Sequence, residues 1–339
     1  MKLGVDRLHK ALLRRAAPYS GALSRWVRFP NPSNAPWRRA QLDIISHGGV
    51  GDVIMCTPVL RELRRRNPAC RIRFYSKYSP LVAGLPYIDE ALQREFCPYP
   101  ALEVNYWDDD RNPVPLRGRL ISLLGDRLGL RITDQRVDCI INPNLVAGYQ
   151  DAWRSLPRPH IVISRHGGEW TPNKEWPAHC WTALIERLAR RATVIEIGAS
   201  RRPAPERPGN SYVDLRGRTS VTEMAAALAA ADLHVGPESG PMHIAAAANT
   251  PCVILYGGYL PTFCTHYAGN IALATDVPCA PCWLPTPCPF ELKCMTAITP
   301  ETVENSVRTL WMDRPKRGRD ATPIGYTAPQ QRSRTPWRW

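Results

Sequence analysis

The chain has 339 residues, of which 44% are hydrophobic, so it is long enough and apolar enough to bury two cores. Its formal net charge of +14 is concentrated at the two ends. Residues 1–40 carry nine Lys and Arg against one Asp, and residues 313–339 carry seven against two, which leaves 28 basic against 27 acidic residues in 41–312. A nucleic-acid-binding protein would carry its basic face on the folded body, so we expect no nucleic-acid partner.

The basic N-terminal flank, residues 1–40, interleaves apolar side chains with Arg and Lys between Val5 and Val27. Three interpretations stand: an amphipathic segment on an anionic membrane surface, a helix that covers part of the first domain, or disorder, with Pro18 interrupting any single long helix. We find neither a run of transmembrane length nor a signal-peptide pattern, so we expect a cytoplasmic protein, peripheral at the inner membrane if the flank binds lipid. The tail, residues 313–339, is rich in Pro and Arg and is predicted to be disordered.

A strand–turn–helix unit opens the region between the flanks. Residues 41–46 form a short apolar run, the segment His47-Gly-Gly-Val-Gly-Asp52 is rich in glycine, and residues 53–66 have helical periodicity with Arg side chains in the last turn. Gly49 and Gly51 would let a bound ligand approach the backbone closely. Their spacing is not G-x-G-x-x-G, which argues against a nicotinamide dehydrogenase.

The following segments continue an α/β pattern. We predict a strand at 71–75, a helix and a short strand within 81–92, and a helix at 118–128. Residues 99–117, with three consecutive aspartates and several prolines, are expected to form an irregular loop beside a cleft. Residues 151–160 contain two prolines and are the expected linker between two domains.

The second domain repeats the alternation of strands and helices. Its predicted strands include 161–164 and 193–197. Its predicted helices are 176–191, 221–230 (with Thr219 or Ser220 as the cap) and 300–311.

A second strand–turn–helix unit lies within this domain. The strand 232–235 leads through a turn rich in Gly and Pro to a helix at 244–248. Glu238, Ser239 and His243 are the polar side chains around the start of that helix, where unpaired N–H groups and the helix dipole favour phosphate. The alternative is that Glu238 and Ser239 only cap the helix. Two such units, far apart in the chain, predict two α/β domains that face each other across a cleft.

Three motifs together resemble a known family. They are Gly-Gly-Val-Gly-Asp52-Val-Ile-Met-Cys-Thr-Pro58, Lys174-Glu-Trp-Pro177 and Glu238-Ser-Gly-Pro-Met-His243, and they look like glycosyltransferase family 9, the heptosyltransferase family of bacterial lipopolysaccharide assembly. The resemblance runs from about residue 41 to about residue 312. One departure concerns the third motif, because family members commonly have Asp-Thr-Gly where this chain has Glu238-Ser239-Gly240.

The resemblance implies a GT-B fold, in which two Rossmann-like domains face each other across a cleft. The acceptor would bind the N-terminal domain, residues 41–155, on the side of the Gly49 and Gly51 turn, and the nucleotide-sugar would bind the C-terminal domain, residues 156–312. It also implies inverting transfer without a catalytic metal, so no cofactor is required.

Two residues are the candidates for catalysis. An inverting transferase needs a carboxylate to accept the proton of the acceptor hydroxyl, and the resemblance assigns this role to Asp52, with helix capping as the alternative. Lys174 would neutralise the donor diphosphate and the charge that develops on the leaving nucleotide. Its alternative is a solvated surface lysine.

The remaining candidates would bind the donor. The backbone N–H groups of Ser239 and Gly240 would hold phosphate oxygens beside the Glu238 carboxylate. His243 would either contact the phosphate or sugar, or hydrogen-bond to a residue that does. Glu206 lies near the position where the family places a ribose-binding carboxylate.

The chain has eleven cysteines, and without a secretion signal we expect most of them to be reduced thiols. Four stand apart in a Pro-rich segment, Cys279, Cys282, Cys288 and Cys294, with a spacing that can hold zinc or iron in a structural tetrahedral site. One branch of the resembled family, which glycosylates autotransporter proteins, has an iron-binding four-cysteine loop. The alternatives are a loop of reduced cysteines packed on the nucleotide domain and, third, disulfides.

These observations favour a glycosyltransferase that moves a heptose or a related sugar from a nucleotide-sugar, ADP-heptose by the resemblance, to a cell-surface glycan or glycolipid such as the lipopolysaccharide core. Three alternatives remain: a protein (autotransporter-type) heptosyltransferase, another GT-B enzyme such as a nucleotide-sugar epimerase, and a catalytically silent binding or assembly protein. The presence of both Asp52 and Lys174 argues against the silent protein.

Overall fold

The computed structural model of the chain describes residues 39–98, 101–104, 106, 119–126, 128–168, 170–198 and 211–312. The interpretations of the N-terminal flank before residue 39, of the tail, of Glu206 and of most of the predicted loop 99–117 lie outside these residues. Within the described ranges, no helix combines the length and the apolarity that crossing a bilayer requires. Two parallel sheets with associated helices form the described part, which confirms the predicted α/β class.

The first sheet carries the N-terminal glycine turn at its carboxyl edge. Its strands are β1 (Gln41–Ile45), β2 (Arg71–Tyr75), β3 (Glu90–Leu92) and β4 (Leu102–Glu103). They lie in the order β3–β2–β1–β4, all parallel, and this order places the end of β1 beside the end of β4. Parallel strands end at the same edge, so residues that follow β1 and β4 meet there.

The second sheet has six parallel strands within the described residues. They are β5 (His160–Ser164), β6 (Thr193–Ile197), β7 (Tyr212–Asp214), β8 (Leu233–Pro237), β9 (Cys252–Gly257) and β10 (Ile271–Ala274). Their spatial order is β10–β9–β8–β5–β6–β7, and every residue of β5, β6, β8 and β9 is buried. Strands covered on both faces are mostly apolar along their length, which is why the sequence predicted strands here.

Helices connect and flank the strands. The described ones are α1 (Val50–Arg66), α2 (Leu120–Asp126), α3 (Pro143–Trp153), α4 (Ala178–Leu188), α5 (Val221–Ala230), α6 (Gly240–Ala247), α7 (Lys293–Thr296) and α8 (Pro300–Met312). The two sheets lie within the predicted domains 41–155 and 156–312, whose limits remain a prediction.

Two predicted segments are wrong. The helix within 81–92 is absent: a short 3₁₀ turn ends at Leu81, Gly84 has φ +104°, and Pro86 offers no N–H, so only the strand part of that prediction holds. The linker does not begin at residue 151, because α3 continues to Trp153. Helix α3 has a start signal in the sequence, Asn142 followed by Pro143. In the structure the Asn142 side chain accepts hydrogen bonds from Asn144 N and Leu145 N, and proline stands at the first helical position.

Both glycine-rich turns are shorter than predicted. Helix α1 begins at Val50 rather than 53, and α6 begins at Gly240 rather than 244. Asp52 therefore lies in the first turn of α1, and Ser239 is the residue before α6.

The starts of α1 and α6 pack directly against each other across the two sheets. A Cβ atom at Gly240 would lie 2.8 Å from Val50 Cβ, closer than real Cβ contacts, so glycine is required there. A second link joins the halves where the Arg119 guanidinium, just before α2, donates a hydrogen bond of 2.7 Å to the carbonyl of His266. The two helix starts are therefore held face to face.

The cap of α5 gives a direct test of local stability. Ser220 Oγ accepts from Glu223 N at 3.2 Å, and the Glu223 carboxylate accepts from Ser220 N at 2.7 Å. We expect Ser220→Ala to lower the free energy of unfolding by about 1 kcal/mol in urea denaturation, as the loss of a capping box does. Thr219→Ala is the matched control and should change it by less than about 0.5 kcal/mol. An equal cost for the two variants would mean that Ser220 is not the cap.

Candidate active site

Asp52 is enclosed by its own glycine turn. Its carboxylate accepts a hydrogen bond of 2.7 Å from Gly49 N, and a Cβ atom at Gly48 would lie 2.4 Å from the Asp52 side chain. The N-cap of α1 is Gly49 and not Asp52, but the Asp52 carboxylate, at the third helical position, does bond to the N–H of that cap residue. This bond uses one carboxylate oxygen and leaves the base hypothesis open, because a carboxylate has lone pairs for several partners.

Tyr106 is a neighbour of Asp52 that the sequence reasoning missed. It follows β4, whose pairing with β1 is continued by a hydrogen bond of 3.0 Å from Val104 N to Ile45 O. Burial raises the pKa of Tyr106 well above its ordinary value, and the hydrogen-bonded Asp52 carboxylate and the nearby Glu238 raise it further. The phenol therefore stays protonated and donates to Asp52.

Glu238 is the centre of the facing side of the site. The residue is only 5% exposed, its carboxylate pairs with the Lys174 ammonium, and the other oxygen lies 3.6 Å from His243 Nε2. Burial alone would raise the pKa of Glu238, but the Lys174 charge and the His243 ring together lower it to about 2. The side chain is therefore an anion at neutral pH.

His243 joins this pair to the N-terminal glycine turn. Its Nδ1 lies 2.7 Å from the Tyr267 hydroxyl, with the two rings nearly perpendicular at 88°. The Glu238 carboxylate, which can only accept, faces Nε2, so in the neutral ring the proton lies on Nε2 and Nδ1 accepts from the Tyr267 hydroxyl, a phenol whose pKa is raised by burial. A Cβ atom at Gly51 would lie 2.6 Å from His243 Cδ2. Gly51 thus makes room for the histidine of the other half, a use that the sequence did not indicate.

Lys174 ends a 3₁₀ turn, Pro172–Lys174, that follows β5. Its Nζ lies 4.9 Å above the centre of the Tyr259 ring, a cation–π contact, and a Cβ atom at Gly167 would lie 3.0 Å from Lys174 Cβ. The lysine side chain is 15% exposed, so the solvated-surface alternative is wrong.

Capping by Glu238 and Ser239 is also wrong. Ser239 occupies the N-cap position of α6, but its side chain makes no capping hydrogen bond, and its hydroxyl donates to Pro237 O at 3.1 Å instead. The backbone at the start of α6 therefore faces the site without a side-chain oxygen from either residue over it, as an anion-binding helix start requires.

The structure brings most of the predicted site residues together where α1 meets α6. They are Gly49, Gly51, Asp52, Lys174, Glu238, Ser239, Gly240 and His243. Three tyrosines, Tyr106, Tyr259 and Tyr267, join them from loops. Only Tyr259 carried a local signal, since it follows a buried strand and the pair Gly257-Gly258, with Gly257 at φ +57°.

The four cysteines of the Pro-rich segment are free thiols. Cys294 is buried, and burial together with the other three thiols nearby raises its pKa. Within the described residues, however, no group of three or more His, Cys, Asp or Glu side chains is arranged as a metal site. A four-thiol donor set suits zinc or iron, but the side chains as placed do not form the tetrahedron that such a site requires.

Comparisons with known proteins agree on one family. Residues 119–290, half of the chain, match the model of glycosyltransferase family 9 (heptosyltransferase). Lipopolysaccharide heptosyltransferase 1 of Pseudomonas aeruginosa is 30% identical over 173 residues, 45% of this chain and 48% of that protein. The matches to the curated relatives span between 31% and 48% of the length of those proteins. The family match begins after the glycine turn that carries Asp52.

Solved structures extend the likeness of fold to the N-terminal half. A family 9 glycosyl transferase from Veillonella parvula has a TM-score of 0.63 at 18% identity, covering 80% of this chain and 97% of that one. The dodecameric iron-containing heptosyltransferase TibC of enterotoxigenic E. coli, solved in complex with ADP-D-beta-D-heptose, has a TM-score of 0.61 at 19% identity and covers 80% and 76%. At these identities the likeness shows the fold, and it confirms the predicted GT-B arrangement.

The charge of Glu238 can be tested through the pH dependence of stability. Glu238→Gln leaves the Lys174 ammonium buried without its counter-charge, and we expect the free energy of unfolding at pH 7 to fall by about 3 kcal/mol. Because the folded pKa of about 2 lies below the reference value of 4.5, the wild-type advantage is complete above about pH 5 and shrinks as the pH falls toward 2.

Chemical denaturation of both proteins at pH 7, 5 and 3 measures this gap. Glu175→Gln is the control, since Glu175 faces His166 at 3.3 Å in a more open position and should cost less than about 1 kcal/mol. A Glu238→Gln gap that does not change with pH would contradict an anionic Glu238.

Proposed function

Because this chain belongs to glycosyltransferase family 9, we propose that it transfers a heptose from ADP-heptose to a bacterial lipopolysaccharide-core acceptor with inversion at the anomeric carbon. The observation that carries the proposal is the meeting of the Asp52 carboxylate with the Lys174–Glu238–His243 cluster at two facing helix starts. One side offers a base and the other offers positive charge for a diphosphate. The ADP-heptose bound by TibC supports the choice of donor.

The proposed reaction uses these residues in one displacement. The donor diphosphate lies at the start of α6, where backbone N–H groups and the Lys174 ammonium balance its charge. Asp52 accepts the proton of the acceptor hydroxyl while that oxygen bonds to the anomeric carbon. The bond from the anomeric carbon to the diphosphate oxygen breaks, and ADP leaves with the electron pair. His243, oriented by Tyr267, contacts the donor or fixes Glu238.

The variant Asp52→Asn distinguishes the role of Asp52 as a catalytic base from its role in capping helix α1. The asparagine oxygen can still accept from Gly49 N, so the fold and ADP binding should be retained, whereas turnover should fall by about 10²–10⁴-fold because an amide cannot take the proton. Release of ADP from ADP-heptose with a heptose-free core acceptor measures the rate. The control is Asp151→Asn, an exposed carboxylate on α3. Near-normal turnover of the Asp52→Asn variant would remove Asp52 from the mechanism.

A second candidate acceptor, a protein, is favoured by one observation. The chain has the four-cysteine segment 279–294, and one of its structural neighbours is iron-containing. Iron held by these thiols would have a structural role, because no step of the proposed transfer needs a metal. The acceptor is decided by supplying core oligosaccharide and an autotransporter passenger domain in parallel with labelled donor.

Metal content tests the cysteine hypothesis separately. If the segment closes around iron or zinc, untagged protein should carry about one metal per chain, and Cys282→Ser should lose it while the rest of the fold persists. Elemental analysis by plasma mass spectrometry measures it, with Cys56→Ser, a buried thiol of α1, as the control. Less than about a tenth of an equivalent, the level of contamination, would leave four ordinary reduced cysteines.

A further inference from the structure

The turn that carries Lys174 is tied to the cysteine-rich segment by the residue before it. Asn173 is 2% exposed, and its Nδ2 donates to the carbonyls of Leu284 at 2.8 Å and Thr286 at 2.7 Å. The Thr171 hydroxyl, on the same turn, donates to Leu284 O at 2.9 Å and accepts from Asn173 N at 3.2 Å. Three side-chain hydrogen bonds thus connect this turn to the middle of the segment 279–294.

The same segment also supports the aromatic ring that the Lys174 ammonium contacts. Tyr259, over which the Lys174 ammonium lies, stacks on Trp283 with ring centres 5.1 Å apart and planes 24° apart. Trp283 N donates to Tyr259 O at 3.0 Å, and the Tyr259 hydroxyl accepts from Trp170 Nε1 at 2.7 Å. Tyr259, the ring that Lys174 contacts, is therefore also positioned by the segment 279–294.

Regular secondary structure does not stabilise the conformation of the cysteine-rich segment. Residues 279–292 contain no helix or strand, and Trp283, Glu291 and Leu292 have φ between +49° and +56°. Non-glycine residues in that region cost free energy and persist only where surrounding contacts determine them. The hydrogen bonds of Asn173 are such contacts.

We propose that Asn173 is a positioning residue that holds the Lys174 ammonium against Glu238 by binding the segment 279–294. The amide acts purely as a donor here, since its Oδ1 has no partner among the described residues. The donor-site consequence rests on the proposed function of Lys174: a displaced lysine would bind a diphosphate less well. Asn173→Asp tests this, because a carboxylate of the same shape cannot donate and would repel the two carbonyls.

The first readout is the reactivity of Lys174 itself, which needs no assumption about function. Folded wild-type and variant proteins are treated briefly with acetic anhydride, and acetylation of each lysine is measured by peptide mass spectrometry. Lys174, 15% exposed and paired, should react about tenfold faster in the Asn173→Asp protein, the effect of losing about one buried hydrogen bond. Lys77, at 62% exposure, should not change. Asn144→Asp, an exposed asparagine on α3, is the matched control.

The second readout separates this inference from the proposed function. Titration calorimetry with ADP and with AMP should show about tenfold weaker ADP binding and unchanged AMP binding in Asn173→Asp, because the lysine addresses the diphosphate. Faster acetylation of Lys174 with unchanged ADP affinity would uphold the positioning part and remove the lysine from the donor site. Unchanged acetylation in a folded variant would overturn the inference. If Asn173→Asp does not fold, Thr171→Val removes one of the three bonds to the segment, together with the bond that Thr171 accepts from Asn173 N, and should raise acetylation about threefold.

Discussion

The buried carboxylate of Glu238 is the constraint on which the site depends. An anion that is 5% exposed is stable only if opposite charge and hydrogen bonds surround it. Lys174 supplies the charge from the turn after β5, and His243 supplies a ring N–H from α6. Satisfying one carboxylate therefore fixes the lysine turn and the first turns of α6 relative to each other.

The same requirement shapes the contact between the two halves of the molecule. The ring of His243, held by Glu238 and Tyr267, lies so close to Gly51 that any side chain there would collide with it. In the same way, the absence of a side chain at Gly240 leaves room for Val50. Two helix starts with positive dipole ends face each other, and the carboxylates of Asp52 and Glu238 offset them. In the proposed reaction an incoming diphosphate would share Lys174 with Glu238.

The sequence predicted the parts of this arrangement that are local. Buried parallel strands are continuous apolar runs, and Gly-rich turns before Asp52 and around Glu238 marked the helix starts. The predicted start of the second helix is too late because Gly240 favours a turn, whereas Gly240 and Pro241 form the first turn of α6, where proline fits. Tyr106, Tyr267 and the Asn173 bonds were not predicted, because each joins residues from different loops and leaves no pattern in its own segment.

In the proposed reaction, Lys174, held by Glu238, binds the donor diphosphate. The most direct measurement is the affinity for ADP of the double variant Lys174→Met/Glu238→Gln, which removes both charges and so leaves no unpaired charge in the core. Calorimetry should show ADP binding weakened by about tenfold or more relative to wild type, since a charge-assisted contact to phosphate is lost. Wild-type ADP affinity in a folded double variant would contradict this role of Lys174 and place the diphosphate elsewhere.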